Sequence, residues 1–223
     1  MPNPDIARPA RALIERIRPL ATSTLANALD DVGLHDNVIV AIKAVATGFR
    51  FVGPAVTVKE RSGAYGRFAS DDFKVGQMID AAEPGDVIVV DAGGAPYSTW
   101  GGMASYAAKL KGVAGLVVDG GVRDLEEMVE FGFPAFARHL VPTTGRTRLK
   151  VEAINAPVII DGVAVAPGDI IAADGTGIVC LPAAEVEKIV ALAEGFARDD
   201  AAAVGDLKRG LTFSQAMAKY KRI

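Results

Sequence analysis

Two apolar runs each end in a carboxylate followed by glycines: Val87-Ile-Val-Val-Asp91 before Gly93-Gly94, and Val113 to Asp119 before Gly120-Gly121. Between them Gly101-Gly102 opens a helical stretch, and just past the second run stands the adjacent pair Arg123-Asp124. If the runs are parallel strands, ligands collect outside their carboxyl ends. Helix N-termini there add free backbone N–H groups and a partial positive charge, which suit a carboxylate or phosphate. Gly101-Gly102 lets one such terminus approach an anion closely. An Arg-Asp neighbour pair by itself is commonly a solvated surface pair. In this setting Arg123 offers a planar fork for a carboxylate or enolate, and Asp124 offers a hard oxygen for a divalent cation. Together they suggest metal-assisted chemistry on a small carboxylate-bearing substrate.

Other reactive residue types receive plainer readings. Cys180, in the apolar run Gly177-Ile-Val-Cys-Leu-Pro182, reads as inert core. His35 and His139 lie away from the cluster and lack a ligand-like spacing. Lys59 ends a β-branched run and reads as a strand-end lysine reaching solvent. Asp71-Asp72 reads as a helix-capping pair before Phe73. Trp100 is expected to pack beneath the loop at the site. No P-loop and no strand followed by Gly-x-Gly-x-x-Gly is present, so no nucleotide is implied.

These residues need elements to position them. Residues 6–19 carry apolar positions Ile6, Ala10, Leu13, Ile14 and Ile17 at helical spacing, and a second helix starts at Thr22 or Ser23 and runs to Gly33. Residues 45–60 read as strands, with Gly53-Pro54 suggesting a bulge or an edge. From Phe73 helices and strands alternate: helix 75–82, strand 87–91, helix 101–111, strand 113–119, a turn at Gly120-Gly121 and helix 124–131. Such alternation implies parallel pairing and a covered sheet. Pro84-Gly-Asp86 and Pro167-Gly-Asp169 each precede an apolar strand, read as one favourable turn used twice. Residues 162–181 look like a β-hairpin set, 183–203 like an alanine-rich helix, and 214–220 like a short last helix. The reading is mixed α/β in one domain spanning residues 1–223.

Composition agrees. The 223 residues are 50% hydrophobic and 23% charged, enough for a sizeable core. Twenty-four Lys+Arg against 27 Asp+Glu leave a net charge of −3, which removes the basic footprint of a general DNA or RNA binder. One cysteine excludes an internal disulfide framework and fits a reducing, cytoplasmic setting. No basic segment followed by an apolar run begins the chain, and no stretch of about 20 apolar residues suggests a membrane span.

Several motifs resemble one family. Gly93-Gly94, Ser98-Thr-Trp-Gly-Gly-Met-Ala-Ser105, Lys111-Gly-Val-Ala-Gly115 and Val118-Asp-Gly-Gly-Val-Arg-Asp124 look like the RraA-like family. Phe51-Val-Gly-Pro-Ala-Val-Thr-Val58, Pro84-Gly-Asp-Val-Ile-Val-Val90, Phe131-Gly-Phe-Pro134 and Ala173-Asp-Gly175 extend the likeness over roughly residues 20 to 210. That family includes class II pyruvate aldolases acting on 4-hydroxy-4-methyl-2-oxoglutarate and 4-carboxy-4-hydroxy-2-oxoadipate, and the reaction expected of this chain is cleavage of a 2-oxo acid by retro-aldol or by decarboxylation of oxaloacetate. The resemblance implies a swivelling β/β/α domain with a mixed sheet covered by helices, assembled as a trimer or hexamer with sites at subunit interfaces. The C-terminal helical segment, 183–223, is expected at such an interface. Arg123 matches the arginine that binds pyruvate and stabilises the enolate. Asp124 matches the carboxylate that ligates Mg²⁺ or Mn²⁺. The backbone of Gly101, Gly102, Met103 and Ala104 matches the helix start that holds the pyruvyl carboxylate.

Two departures stand out. The aldolases usually carry an acid where this chain has Gly102, which favours decarboxylation over fast aldol turnover. A second acidic group comes from a neighbouring subunit's C-terminal helix, and Asp200 is the nearest match. The alternative branch of the family binds and inhibits ribonuclease E without catalysis. It lacks the acid after the arginine, so Asp124 favours the enzyme reading, in which the partners are a 2-oxo acid and further copies of the chain.

Overall fold

The computed structural model describes residues 6–220. The chain opens with helices α1 (Arg11–Ile17) and α2 (Thr22–Asp31) and the short strands β1 (Val38–Ile39) and β2 (Lys43–Ala44). Then come β3 (Phe51–Ser62), a 3-10 turn at Ser70–Asp72, α3 (Val75–Asp80), β4 (Val87–Trp100), α4 (Gly102–Lys111), β5 (Gly115–Val122), α5 (Leu125–Phe131) and β6 (Ala135–Leu140). β7 (Leu149–Ile154), β8 (Val158–Ile160), β9 (Val163–Val165), β10 (Ile170–Ala173), β11 (Ile178–Leu181), α6 (Val186–Lys208) and α7 (Phe213–Lys219) complete it.

The mixed α/β reading holds. β3, β4, β5 and β6 are parallel neighbours, as the helix–strand alternation implied. The sheet extends antiparallel on both sides, in the order β1-β11-β10-β3-β4-β5-β6-β2. β3 is its spine: Phe51 pairs with Ala173 of β10 at one end, and Ser62 pairs with Leu149 of β7 at the other. The strand runs straight through Gly53-Pro54, and its irregularity falls instead between Lys59 and Glu60. β4 likewise passes the expected loop at Gly93-Gly94, whose positive φ angles of 63° and 71° bend the strand without ending it. Gly120-Gly121 is strand and not turn, because a Cβ at Gly121 would lie 2.7 Å from the carbonyl oxygen of Tyr97 on the neighbouring strand.

Side-chain alternation along the strands builds two faces. Val56, Val58, Ile88, Val90, Leu116 and Val118 pack against α3, α4 and α5 through Met78, Ala108 and Met128. Val87, Val89, Val117 and Phe136 face the β8–β9 hairpin through Val158, Ile160, Val163 and Val165. A third cluster seats α1, α2 and α6 on β10 and β11. Each such side chain, fully buried, contributes roughly 1.5–3 kcal/mol, so the ends of the parallel strands are held on a rigid base. The two Pro-Gly-Asp segments form the same turn. Asp86 accepts the N–H of Glu83 at 2.7 Å, and Asp169 accepts that of Ala166 at 2.8 Å. No described helix is long and apolar enough to cross a membrane.

Candidate active site

On the helix-covered face, where β4 and β5 end, lies a cavity of about 220 Å³. Its lining includes Ser98, Thr99, Trp100, the Gly101–Ala104 segment, Arg123, Asp124, Phe73 and Thr144. The structure therefore brings together Arg123, Asp124, Gly101, Gly102, Met103 and Ala104. Two strand ends are joined here, because the backbone N–H of Arg123 donates to the carbonyl oxygen of Trp100 at 3.0 Å. Trp100 is buried, stacks on Phe133 with ring centroids 6.1 Å apart, and donates its indole N–H to Ser105 Oγ at 3.1 Å. It packs the floor, as expected.

Asp124 is held in the left-handed region, φ 60° and ψ 47°, a conformation costing a non-glycine residue on the order of 1–3 kcal/mol. That turn aims its carboxylate back at α4, where Oδ2 accepts the N–H of Gly102 at 3.1 Å. The same oxygen stands 3.4 Å from Arg123 Nε. Both side chains are about two-fifths exposed, so this ion pair is weak in itself and both groups remain available to a ligand. Intrahelical bonding from the α4 start begins with Ser105 N–H to Gly101 O at 3.0 Å. The N–H groups of Met103 and Ala104 therefore lack helical acceptors and are suited to a carboxylate. The Met103 side chain is exposed, so its part in the cavity is its backbone.

The acid absent from position 102 has a structural counterpart. A Cβ built on Gly102 would lie 1.6 Å from Glu127 Oε2 and 2.5 Å from its Cδ. The Glu127 carboxylate thus fills the space a side chain at 102 would take. Its spacing of three from Asp124, at the start of a helix, was the signal available in the sequence.

Asp91 and Asp119 turn away from the cavity. Asp91 accepts from Lys59 Nζ at 2.6 Å and from the N–H groups of Gly93 and Ile159. Lys59 therefore pairs with a buried carboxylate while its own side chain stays partly in solvent. Asp119 binds Arg138 and the N–H of Asp161, and Arg138 also reaches Asp161 at 2.8 Å. The Arg138 guanidinium, with the backbone N–H of Ala41, holds the Asp161 carboxyl below the usual range. These contacts clamp the β8–β9 hairpin to the other face of the sheet. His139 contacts the Gly94 carbonyl oxygen at 3.0 Å and does not line the cavity. Cys180 is buried in β11, and burial pushes its thiol pKa up. Asp71-Asp72 do not cap the following helix: α3 begins after Lys74 with no side-chain cap, and Asp72 closes the 3-10 turn by accepting the N–H of Ala69 at 3.2 Å.

Two further residues escaped sequence reasoning. Thr99 lines the cavity and donates to Glu60 Oε1 at 2.7 Å. Glu60 is 2% exposed, and burial, helped by the charge of Asp91 and opposed by Thr99, pushes its carboxyl up to about 7. Its place after Val56 and Val58 in an alternating strand marked it as an inward-facing acid. Asp200 lies on α6, which packs against α2 and α1, and it does not line the cavity within one chain.

Among the described residues no group of three or more His, Cys, Asp or Glu side chains is arranged to hold a metal. The donor set at the cavity is oxygen only, with Asp124 at its centre. That fits a Mg²⁺-type cation, which binds through one or two carboxylates and keeps waters and substrate oxygens as its other ligands.

The Aldolase/RraA family model, RraA-like, matches residues 22–180, a stretch that contains the whole cavity lining. This chain belongs to the RraA-like family. A relative from Halalkalibacterium halodurans, named "Putative 4-hydroxy-4-methyl-2-oxoglutarate aldolase", is 34% identical over 190 residues, 85% of each chain. An uncharacterized protein of Pseudomonas syringae pv. tomato superposes with a TM-score of 0.84 at 27% identity, covering 94% of this chain and 98% of that one. Streptomyces coelicolor RraAS2, described as an unusual member of the RNase ES inhibitor RraA protein family, superposes with a TM-score of 0.78 at 27% identity, over 92% and 99% of the two chains. The RraA-like fold expected from the motifs is thus the fold observed, and Asp200 lies beyond the stretch the family model matches.

Proposed function

We propose that this RraA-like chain is a divalent-metal-dependent lyase that cleaves a carbon–carbon bond of a 2-oxo acid and releases pyruvate. Its substrates are a 4-hydroxy-2-oxo acid, oxaloacetate, or both. The observation that carries this reading is the convergence of Arg123, Asp124 and the open start of α4 on one cavity. The N–H groups of Met103 and Ala104 receive the substrate carboxylate. Arg123 places its fork where negative charge grows as the bond breaks and the enolate forms. Asp124, fixed by its strained backbone and by Gly102, is the residue that would hold Mg²⁺ or Mn²⁺. The cation supplies Lewis-acid stabilisation of the 2-oxo group and its enolate. The aldolase name of the Halalkalibacterium halodurans relative supports the reaction class.

Assembly completes the reading. Met103, Leu110 and Val129 are exposed apolar residues on α4 and α5, and Val204, Phe213 and Met217 are exposed on α6 and α7. These faces suit subunit contacts in a homotrimer or homohexamer, and we place Asp200 across such a contact as a remote carboxylate of the site. The lone, buried Cys180 suits the cytoplasm.

A lactate dehydrogenase-coupled assay tests the function, with oxaloacetate and several 4-hydroxy-2-oxo diacids as substrates, each with and without Mg²⁺ or Mn²⁺. Pyruvate release is expected to disappear with EDTA, and borohydride with substrate is expected to trap no protein. Covalent trapping at Lys59 would replace the metal mechanism by an imine. Capture of ribonuclease E without any EDTA-sensitive pyruvate release would make the chain a regulator.

A further inference from the structure

The cavity lining contains two ionisable side chains, Arg123 and Asp124. The guanidinium keeps its proton at all ordinary pH, and Asp124 is engaged with the Gly102 N–H and Arg123. Cleaving a hydroxylated 2-oxo acid nevertheless moves a proton twice, off the hydroxyl and onto the enolate carbon. Three hydroxyl-bearing residues line the cavity. Ser98 donates to the Trp100 carbonyl oxygen at 2.7 Å, and Thr144 accepts the N–H of Arg146 at 3.2 Å, so both are tied to backbone. Thr99 alone leads to a titratable group, Glu60, at 2.7 Å.

Glu60 is almost wholly buried on the helix-covered face of β3, and its Oε2 has no partner among the described residues. A carboxyl left in that state needs a reason. The charges around it are bound to one another. Lys59 holds Asp91 of β4, Arg61 holds Glu152 of β7 at 2.7 Å, and Lys150 of β7 holds Asp72 of the 3-10 turn at 3.3 Å. Arg148, in the loop before β7, lies over the rings of Tyr65 and Tyr97. Among the described residues no cation pairs with Glu60, and burial with the field of Asp91 brings its titration to about 7.

We propose that Glu60 is the proton store of this cavity and acts through the Thr99 hydroxyl. The inference rests on the lyase reading of the same cavity. In the cleavage (retro-aldol) direction, Thr99 Oγ1 takes the proton of the substrate hydroxyl while passing its own to Glu60 Oε1. The carbon–carbon bond breaks, and its electron pair becomes the enolate. The proton then returns from Glu60 through Thr99 to the enolate carbon, giving pyruvate with no net gain or loss of protons. Decarboxylation of oxaloacetate has no hydroxyl proton to remove: the bond to the leaving carboxylate breaks, CO2 departs, and the enolate carbon takes one proton, which Glu60 passes on through Thr99 after taking it from solvent. Glu60 touches Thr99 and not the substrate, so it is a positioning residue.

The test is the pH dependence of kcat on both substrate types, with Mg²⁺, for the wild type, Glu60→Gln, Thr99→Val and Thr99→Ser. The wild type is expected to show an inflection near pH 7 on the hydroxy acid. Glu60→Gln removes that inflection and lowers kcat on the hydroxy acid by about 100-fold, the low end for general acid–base catalysis, with KM little changed. It slows oxaloacetate decarboxylation far less. Thr99→Val reproduces the loss, Thr99→Ser retains activity, and this pair decides the matter should Glu60→Gln not fold. An inflection and rate unchanged in Glu60→Gln, or in Thr99→Val, overturn the relay alone. A wild type that releases no pyruvate from either substrate overturns the lyase reading and the relay with it.

Discussion

Adding a side chain at Gly102 tests whether Glu127 owns the space at the head of α4. A Cβ there would meet Glu127 Oε2 at 1.6 Å, Cδ at 2.5 Å and Cβ at 2.9 Å. The first two atoms belong to the free end of an exposed side chain and swing away. The third is fixed to α5, and carbon atoms in ordinary contact stand about 3.5–4.0 Å apart. The two helices must therefore part by more than half an ångström against a core that buries Ala108 and Met128 completely. Overpacking of this kind costs about 1–3 kcal/mol. Urea unfolding of Gly102→Ala is expected to show that loss. Glu127→Gly removes all three contacts, the fixed Cβ included, so the double variant is expected to recover at least about 0.5 kcal/mol of it, the size of coupling between touching residues. Additive effects would refute the steric argument. The same geometry bears on the acid that the family usually carries at position 102, probed by Gly102→Asp. Alone it displaces one carboxylate with another and lowers pyruvate release. With Glu127→Gly it recovers activity. A single Gly102→Asp variant faster than the wild type would show that Glu127 does not hold that place.

If Arg123 stabilises charge that grows at the enolate, Arg123→Lys lowers kcat more than it raises KM, with a loss of about 2–4 kcal/mol in transition-state stabilisation. A folded variant with near-wild-type kcat removes Arg123 from the mechanism. Asp200→Ala is expected to lower kcat while size-exclusion shows the same oligomer, and full activity of that oligomer would confine the site to one chain. Glu60 also predicts a stability profile. Its folded carboxyl titrates at about 7, above the ordinary 4.5, so the folded state keeps a proton the unfolded chain has lost. Wild-type stability therefore falls between those two pH values, by about 3 kcal/mol at 1.36 kcal/mol per unit. Glu60→Gln is expected to flatten that fall, and parallel curves for the two proteins would contradict it.

The sequence was most informative where local chemistry and tertiary demand agree. The apolar, β-branched runs marked three of the four parallel strands, β6 going unread, and the Pro-Gly-Asp turns stand where they were read. The Arg123-Asp124 pair and the Gly101-Gly102 helix start, 22 residues apart in the chain, meet through one hydrogen bond. The left-handed backbone that makes this possible is invisible in the sequence, since Asp124 adopts it under the pull of its surroundings. Glycine was the least legible residue. Gly93-Gly94 and Gly120-Gly121 suggest turns by propensity, yet they serve a bent strand and a close strand-to-strand approach. Contact between neighbouring strands outweighs local preference there.

Side-chain parity sorts the remaining carboxylates better than proximity to a strand end. Position along a strand says how close a residue comes to the open edge, while alternation says which face it serves. Val87, Val89 and Asp91 form one series on β4, Val117 and Asp119 one on β5, and Thr57 and Lys59 one on β3. All lead to the face under the β8–β9 hairpin, where Asp91 and Asp119 meet Lys59 and Arg138. Val56, Val58 and Glu60 form the other series, shared with Ile88, Val90, Leu116 and Val118, and it leads to the helix-covered face where the cavity opens. Asp91 and Asp119 are closer in sequence to the glycine-rich motif, yet they stabilise the scaffold. Glu60, 31 residues before Asp91, reaches the cavity wall through Thr99. A strand-end acid becomes a candidate for chemistry only when its parity matches that of the face carrying the helix N-termini.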